Sequence, residues 1–200
     1  MHNVLQNIER LKVLRDLNML SKDFNTIYDR ITAIASEVVA ADSRFFKSYH
    51  GLPAPWASRR STPLSHSFCQ HVVTTSQPLI VSDAREVDFL KKNRAIPDLD
   101  VIGYLGMPLT LENGQTMGSF CVIDSQPRAW TQEEIDIVNE LAHIVTHEID
   151  MRVAARLDET QRPALDAYIN TIEDFLSDVD ADMTKERFLA ELRALRQQIG

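Results

Sequence analysis

Two apolar runs, GYLGMPLTL (103–111) and TMGSFCVID (116–124), flank the tetrapeptide ENGQ. Asn113-Gly114 between such runs is a strong local turn signal, because both residue types tolerate positive φ. The chain is therefore expected to double back here as an antiparallel hairpin. Alternation in the second run puts Met117, Ser119, Cys121 and Ile123 on one face, and Phe120 and Val122 on the other. Both faces are partly apolar, so the strand is expected to be covered on both sides.

The flanking segments show helical spacing. Leu5, Ile8, Leu11 and Leu14 predict a short amphipathic helix, and Phe24, Ile27, Ile31, Ile34, Ala35 and Val38 predict a second, ending near Val39. FFKSYHGLPAPWASRRSTP holds three prolines and reads as a loop, opened by a short strand at Phe45 to Tyr49. Ser67 and Gln70 form a capping-box pattern ahead of Phe68, Val72 and Val73. PLIVSDA (78–84) reads as a strand. Thr131 and Glu134 form a second capping box, with Trp130 and Ile135 placed as a hydrophobic staple. The helix that follows carries two apolar stripes: Ile135, Val138, Ala142, Val145 and Ile149, and Ile137, Leu141 and Ile144. After Leu157, ETQRP interrupts the pattern. Two more helices follow, one carrying Leu165 to Val179 and one starting near Thr184. The predicted class is α+β: an antiparallel sheet with helices on one face, spanning 1–157, and a helical C-terminal extension over 158–200.

The balance of 29 acidic to 21 basic residues, net −8, disfavours nucleic acid and anionic membrane as partners. No apolar run approaches the roughly 18 residues of a membrane span. The N-terminus lacks the apolar stretch of a signal peptide, and two cysteines do not make a disulfide scaffold, so the cytoplasm is the expected compartment.

RLKVLRDLNML, FFKSYHGLPAPWASRR, TPLSHSFCQHVV, PLIVSDAR, YLGMPL, MGSFCVID and PRAWTQEE together resemble the GAF domains of bacterial signalling proteins, in family order from about residue 10 to 150. The resemblance implies a GAF/PAS-like sheet with helices behind it and a ligand pocket in front, in a stand-alone domain with a C-terminal helical extension. EVVAADSRFFKS joins helix to loop with roughly ten residues fewer than the family usually has, about one strand and its turn. The asparagine-lysine-phenylalanine signature of cyclic-nucleotide binding is absent, as is a bilin-type cysteine-histidine pair, so no cofactor is assigned. By resemblance, Phe46, Phe68, Cys69, His71, Asp83, Tyr104, Ser119 and Cys121 surround the cavity. Their mix of aromatic and polar groups suits a small molecule.

No catalytic or metal-binding constellation stands out. His143 and His147 are four apart on one helix, but on outward positions and without a third ligand. Cys69 and Cys121 read first as small packing residues, since free cysteine is often buried. A reactive thiolate at Cys69 is the sharper alternative. The expected function is thus a non-enzymatic sensory or regulatory module, acting on a small molecule or a downstream signalling protein. The alternatives are a thiol redox sensor or reductase using Cys69 or Cys121, and a ligand-free interaction module. One sheet covers only one side of the 131–157 helix. The stripe of Ile135, Val138, Ala142, Val145 and Ile149 is therefore expected to stay exposed and to build a homodimer, unless the tail folds back over it.

Overall fold

A computed structural model describes residues 4–17, 26–39, 63–179 and 183–199. The strand expected at 45–49 and the pocket residue Phe46 lie outside these. The described helices are α1 (Ile8–Asp16), α2 (Thr26–Val39), α3 (Cys69–Thr75), α4 (Ala95–Leu99), α5 (Gln132–Leu157), α6 (Arg162–Asp178) and α7 (Lys185–Ile199). The strands are β1 (Leu79–Val81), β2 (Gly103–Thr110) and β3 (Thr116–Asp124). Among the described residues they form one antiparallel sheet in the order β1-β2-β3. The architecture is the expected α+β one, with all the long helices on one face.

Alternation sorts the two faces. Leu105, Met107 and Leu109 of β2 join Phe120 and Val122 of β3 in a core shared with Ile27, Ile31, Ala35 and Val39 of α2 and with α5, α6 and α7. On the opposite face Tyr104, Cys121 and Ile123 pack with Phe68 and Val72 and with Leu90, Leu99 and Val101 of the long connection to β2. The strand is covered on both sides, as its composition requires.

Two local expectations are corrected. Met117 does not share a face with Ser119 and Cys121: it is buried in the helix-side core. A register irregularity between Leu109 and Thr110 pairs Thr110 with Thr116 and breaks the alternation there. Positive φ occurs in the turn only at Gly114, at 83°. Leu111 N–H donates to the Gln115 carbonyl at 3.0 Å and Gly114 N–H to the Leu111 carbonyl at 2.8 Å, so Glu112 to Gly114 form a three-residue loop. Asn113 serves through its side chain, whose Oδ1 accepts from Gln115 N–H at 2.9 Å.

The capping boxes differ in outcome. At α5 both reciprocal bonds between Thr131 and Glu134 are present. At α3 the Ser67 hydroxyl accepts from Gln70 N–H at 3.2 Å, but the Gln70 amide donates to the carbonyls of Ser67 and Leu64 rather than reaching back as an acceptor. Phe68 intervenes, and the helix begins at Cys69.

The α5 seam is closed within one chain. Val138, Ala142, Val145 and Ile149 are buried within this one chain, and Ile135 is half-buried. The expectation of an exposed seam is not met: this stripe is covered within the chain, while α6 and α7 return along the other side of α5, the face of Asp136, Glu140, Ile144 and His147. Lys185 pairs with Glu134 at 2.5 Å, Arg193 with Asp136 at 2.9 Å and Arg196 with Glu140 at 3.1 Å. These pairs advance in the same order on both helices, so α7 runs alongside α5 in the same direction. Phe188, Leu189, Leu192 and Leu195 thereby enter the common core. Tyr168 of α6 donates its hydroxyl to the Ile144 carbonyl at 2.9 Å. On another side of α5, the buried Glu148 accepts from Tyr28 of α2 and from Arg152. A helix enclosed in this way needs apolar residues on several faces, which accounts for the two stripes.

Candidate functional site

The face of the sheet turned away from the long helices holds the site. Gly106 shapes it. It stands opposite Cys121 in the β2–β3 register, and the Tyr104 ring lies back along its own strand over it. A Cβ at position 106 would come within 2.7 Å of the ring carbon Cζ, and closer still to the hydroxyl. The bare backbone lets the phenol reach both flanking elements. Its oxygen lies 3.3 Å from Cys69 Sγ and 3.3 Å from Ser119 Oγ. Phe68 meets the same ring edge-on, with centroids 5.4 Å apart.

Cys69, the first residue of α3, projects onto β3. Its sulfur is 3.7 Å from that of Cys121, and both cysteines are free. Local contacts hold α3 in place. Asn93 Nδ2 donates to the Ser67 carbonyl at 3.2 Å and Arg94 N–H to that of Ser65 at 3.0 Å. The buried His66 places Nε2 2.9 Å from Asp98 of α4.

The three ionisable groups polarise one another. A hydrogen bond from the Cys121 thiol holds Cys69 down to about 6, against the opposing effect of burial and with help from the Tyr104 and Ser119 hydroxyls. Cys121 is pushed up, chiefly because it is the donor to Cys69. Tyr104 is pushed up by burial and by the adjacent sulfurs. These contacts favour ionisation of Cys69 over that of Cys121.

Of the residues singled out from sequence, Phe68, Cys69, Tyr104, Ser119 and Cys121 come together here. His71 lies on α3 with its ring 4.9 Å from that of Phe89, and burial lowers its pKa. Asp83 is engaged by Arg85 at 2.6 Å. Gly106 was not singled out, though a glycine inside a strand is a recognised sign of close approach.

Two further features lie apart from these contacts. Arg128, just past β3, donates to Asp124 at 3.1 Å, to the Val39 carbonyl at 2.6 Å and to Glu134 at 2.6 Å, and stacks over Trp130 at 4.8 Å. Trp130 in turn donates to the Val81 carbonyl at 3.0 Å. On the helix side a separate cleft of about 300 Å³ is lined by His143, His147, Asp150, Tyr168 and Arg196. There His147 rests on Tyr168, centroids 5.0 Å apart, and Arg196 is engaged by Glu140. Among the described residues, no group of three His, Cys, Asp or Glu is placed to hold a metal ion. Nor is any described helix long and apolar enough to cross a membrane.

The GAF domain family model matches residues 23–149, well over half of the chain. No curated protein sequence matches it.

Proposed function

The chain belongs to the GAF domain family, and we propose that it is a non-enzymatic sensory or regulatory module whose input is the Tyr104–Ser119–Cys121 face of the sheet and whose output is its helical tail. The observation that carries this reading is the Arg128 junction. One guanidinium ties together the end of β3, the end of α2 and the start of α5, and Glu134 passes the connection on to Lys185 of α7. A shift of the strands is thereby felt at the helix that a downstream protein could read.

Hydrogen exchange on the full chain tests the coupling. Ser119→Leu places bulk on the input face, away from the helices. Faster exchange in α7 as well as around β3 is the expected result. A change confined to residues near 119 would remove the basis for the reading. Native mass spectrometry of the purified chain gives the second test: a stoichiometric small molecule, released on denaturation, is expected if the input is a ligand.

A further inference from the structure

We propose that Cys69 and Cys121 form a hydroperoxide-responsive dithiol that closes reversibly to an intramolecular disulfide joining α3 to β3. The inference goes beyond the sensory reading and needs no bound ligand. The carrying observation is the juxtaposition of the only two cysteines in the chain. They lie 52 residues apart in sequence, yet their sulfurs sit 3.7 Å apart, on two elements that share one packed face. A disulfide needs the sulfurs at about 2.05 Å, an approach of less than ~2 Å. One partner sits at the start of a two-turn helix of 7 residues, whose buried Val72 packs on the same face of the sheet. Both side chains are only partly covered.

The surroundings assign the roles. Cys69 accepts from Tyr104 and is the nucleophile, whereas Cys121 keeps its proton and is the resolving thiol. In the first step the Cys69 thiolate attacks the distal oxygen of a hydroperoxide. The O–O bond breaks, Cys69 becomes a sulfenic acid, and the departing alkoxide or hydroxide leaves as alcohol or water after taking up a proton. In the second step the Cys121 sulfur attacks Cys69 Sγ. The S–S bond forms, the S–O bond breaks, and the hydroxyl leaves as water with the proton from Cys121. Two thiols and one hydroperoxide give one disulfide, one alcohol or water, and one further water. A thiol reductant reverses the change.

The test uses the full chain and one equivalent of hydrogen peroxide near neutral pH. The expected product has no free thiol and an intact mass lower by two hydrogens. It carries a cross-linked peptide joining Cys69 to Cys121, and dithiothreitol restores both thiols. In Cys121→Ser the reaction should stop at a sulfenic acid on Cys69 that a cyclic 1,3-diketone traps. In Cys69→Ser no sulfenic acid should be trapped under the same conditions. Cys121→Ala, checked by circular dichroism, replaces the serine variant if that one fails to fold. Alkylation of Cys69 in the native chain should rise to half its maximum near pH 6, and at higher pH in Tyr104→Phe. Cross-links between molecules, addition of oxygen without loss of hydrogen, or thiols that react only after denaturation would each overturn the proposal. Native mass spectrometry with or without a bound ligand does not bear on it, so failure of the ligand reading is distinguishable from failure of this one.

Discussion

Gly106 is the residue on which the site geometry turns. Tyr104 is almost fully buried, at 2% exposure, and a buried phenol needs a partner for its hydroxyl. It finds Cys69 and Ser119 only because nothing projects from position 106. Gly106→Ala forces the ring aside into a packed face. We expect a loss of about 1–3 kcal/mol in chemical denaturation, the usual range for overpacking. Slower alkylation of Cys69 at pH 7 should accompany it, because the phenol that favours the thiolate is displaced. Gly118→Ala is the control. A Cβ there meets Leu109 Cδ1 at 3.5 Å, an ordinary contact, so both readouts should stay near those of the parent chain. Equal losses in the two variants would mean that strand flexibility, not the Tyr104 contact, is what Gly106 provides.

At the scale of elements, Glu134 shows how far local sequence carries. Its capping box with Thr131 is legible because both partners lie within one turn of helix. Its ion pairs with Arg128 and Lys185 are not, since Lys185 is 51 residues distant. Burial pushes this carboxyl up, but the bonds from Lys185 and Arg128 together hold it below its ordinary 4.5. A carboxyl depressed in the folded state contributes stability above its unfolded pKa, and loses it as pH falls through the folded one. Glu134→Gln should therefore be less stable than the parent at pH 7, by about 1–3 kcal/mol for a buried charged hydrogen-bonding group. The gap should close as pH drops below the ordinary glutamate range. A constant gap in urea titrations from pH 7 down to pH 3 would show that the charge is not what matters. The hairpin has the same mixture of legible and hidden features. Asn113-Gly114 announces the reversal, but the three-residue loop and the irregularity that turns Met117 into the helix-side core depend on how the two strands settle against each other. The thiol pair is hidden for a related reason. Resemblance puts both cysteines on one face, but their 3.7 Å approach depends on where Asn93, Arg94 and the His66–Asp98 contact seat α3.

For the whole molecule, the decisive question in the sequence was what covers the second stripe of α5. Helical periodicity reveals that a stripe needs a partner but not whether the partner is in the same chain. The described structure answers with α6 and α7. Phe188 and Leu192 are fully buried, as are Ile137 and Leu141 on the side of α5 that carries the Glu140 and Ile144 contacts to the tail. The extension is thus part of the core that begins in the family-matched region. A chain ending at Leu157 would bare apolar surface worth roughly 1.5–3 kcal/mol for each large side chain uncovered. Such a chain should self-associate at tens of micromolar in sedimentation equilibrium, or lose its cooperative unfolding. The full chain is expected to keep this surface covered. Ile144→Cys in a background of Cys69→Ser and Cys121→Ser gives a direct check, since this buried position lies under Tyr168 of the tail. With the tail in place the new thiol should resist both labelling and oxidative cross-linking between molecules. Removing residues 158–200 should make it reactive. Efficient cross-linking of the full chain through position 144 would mean that the tail leaves α5 in solution and that α5 then pairs two copies of the chain.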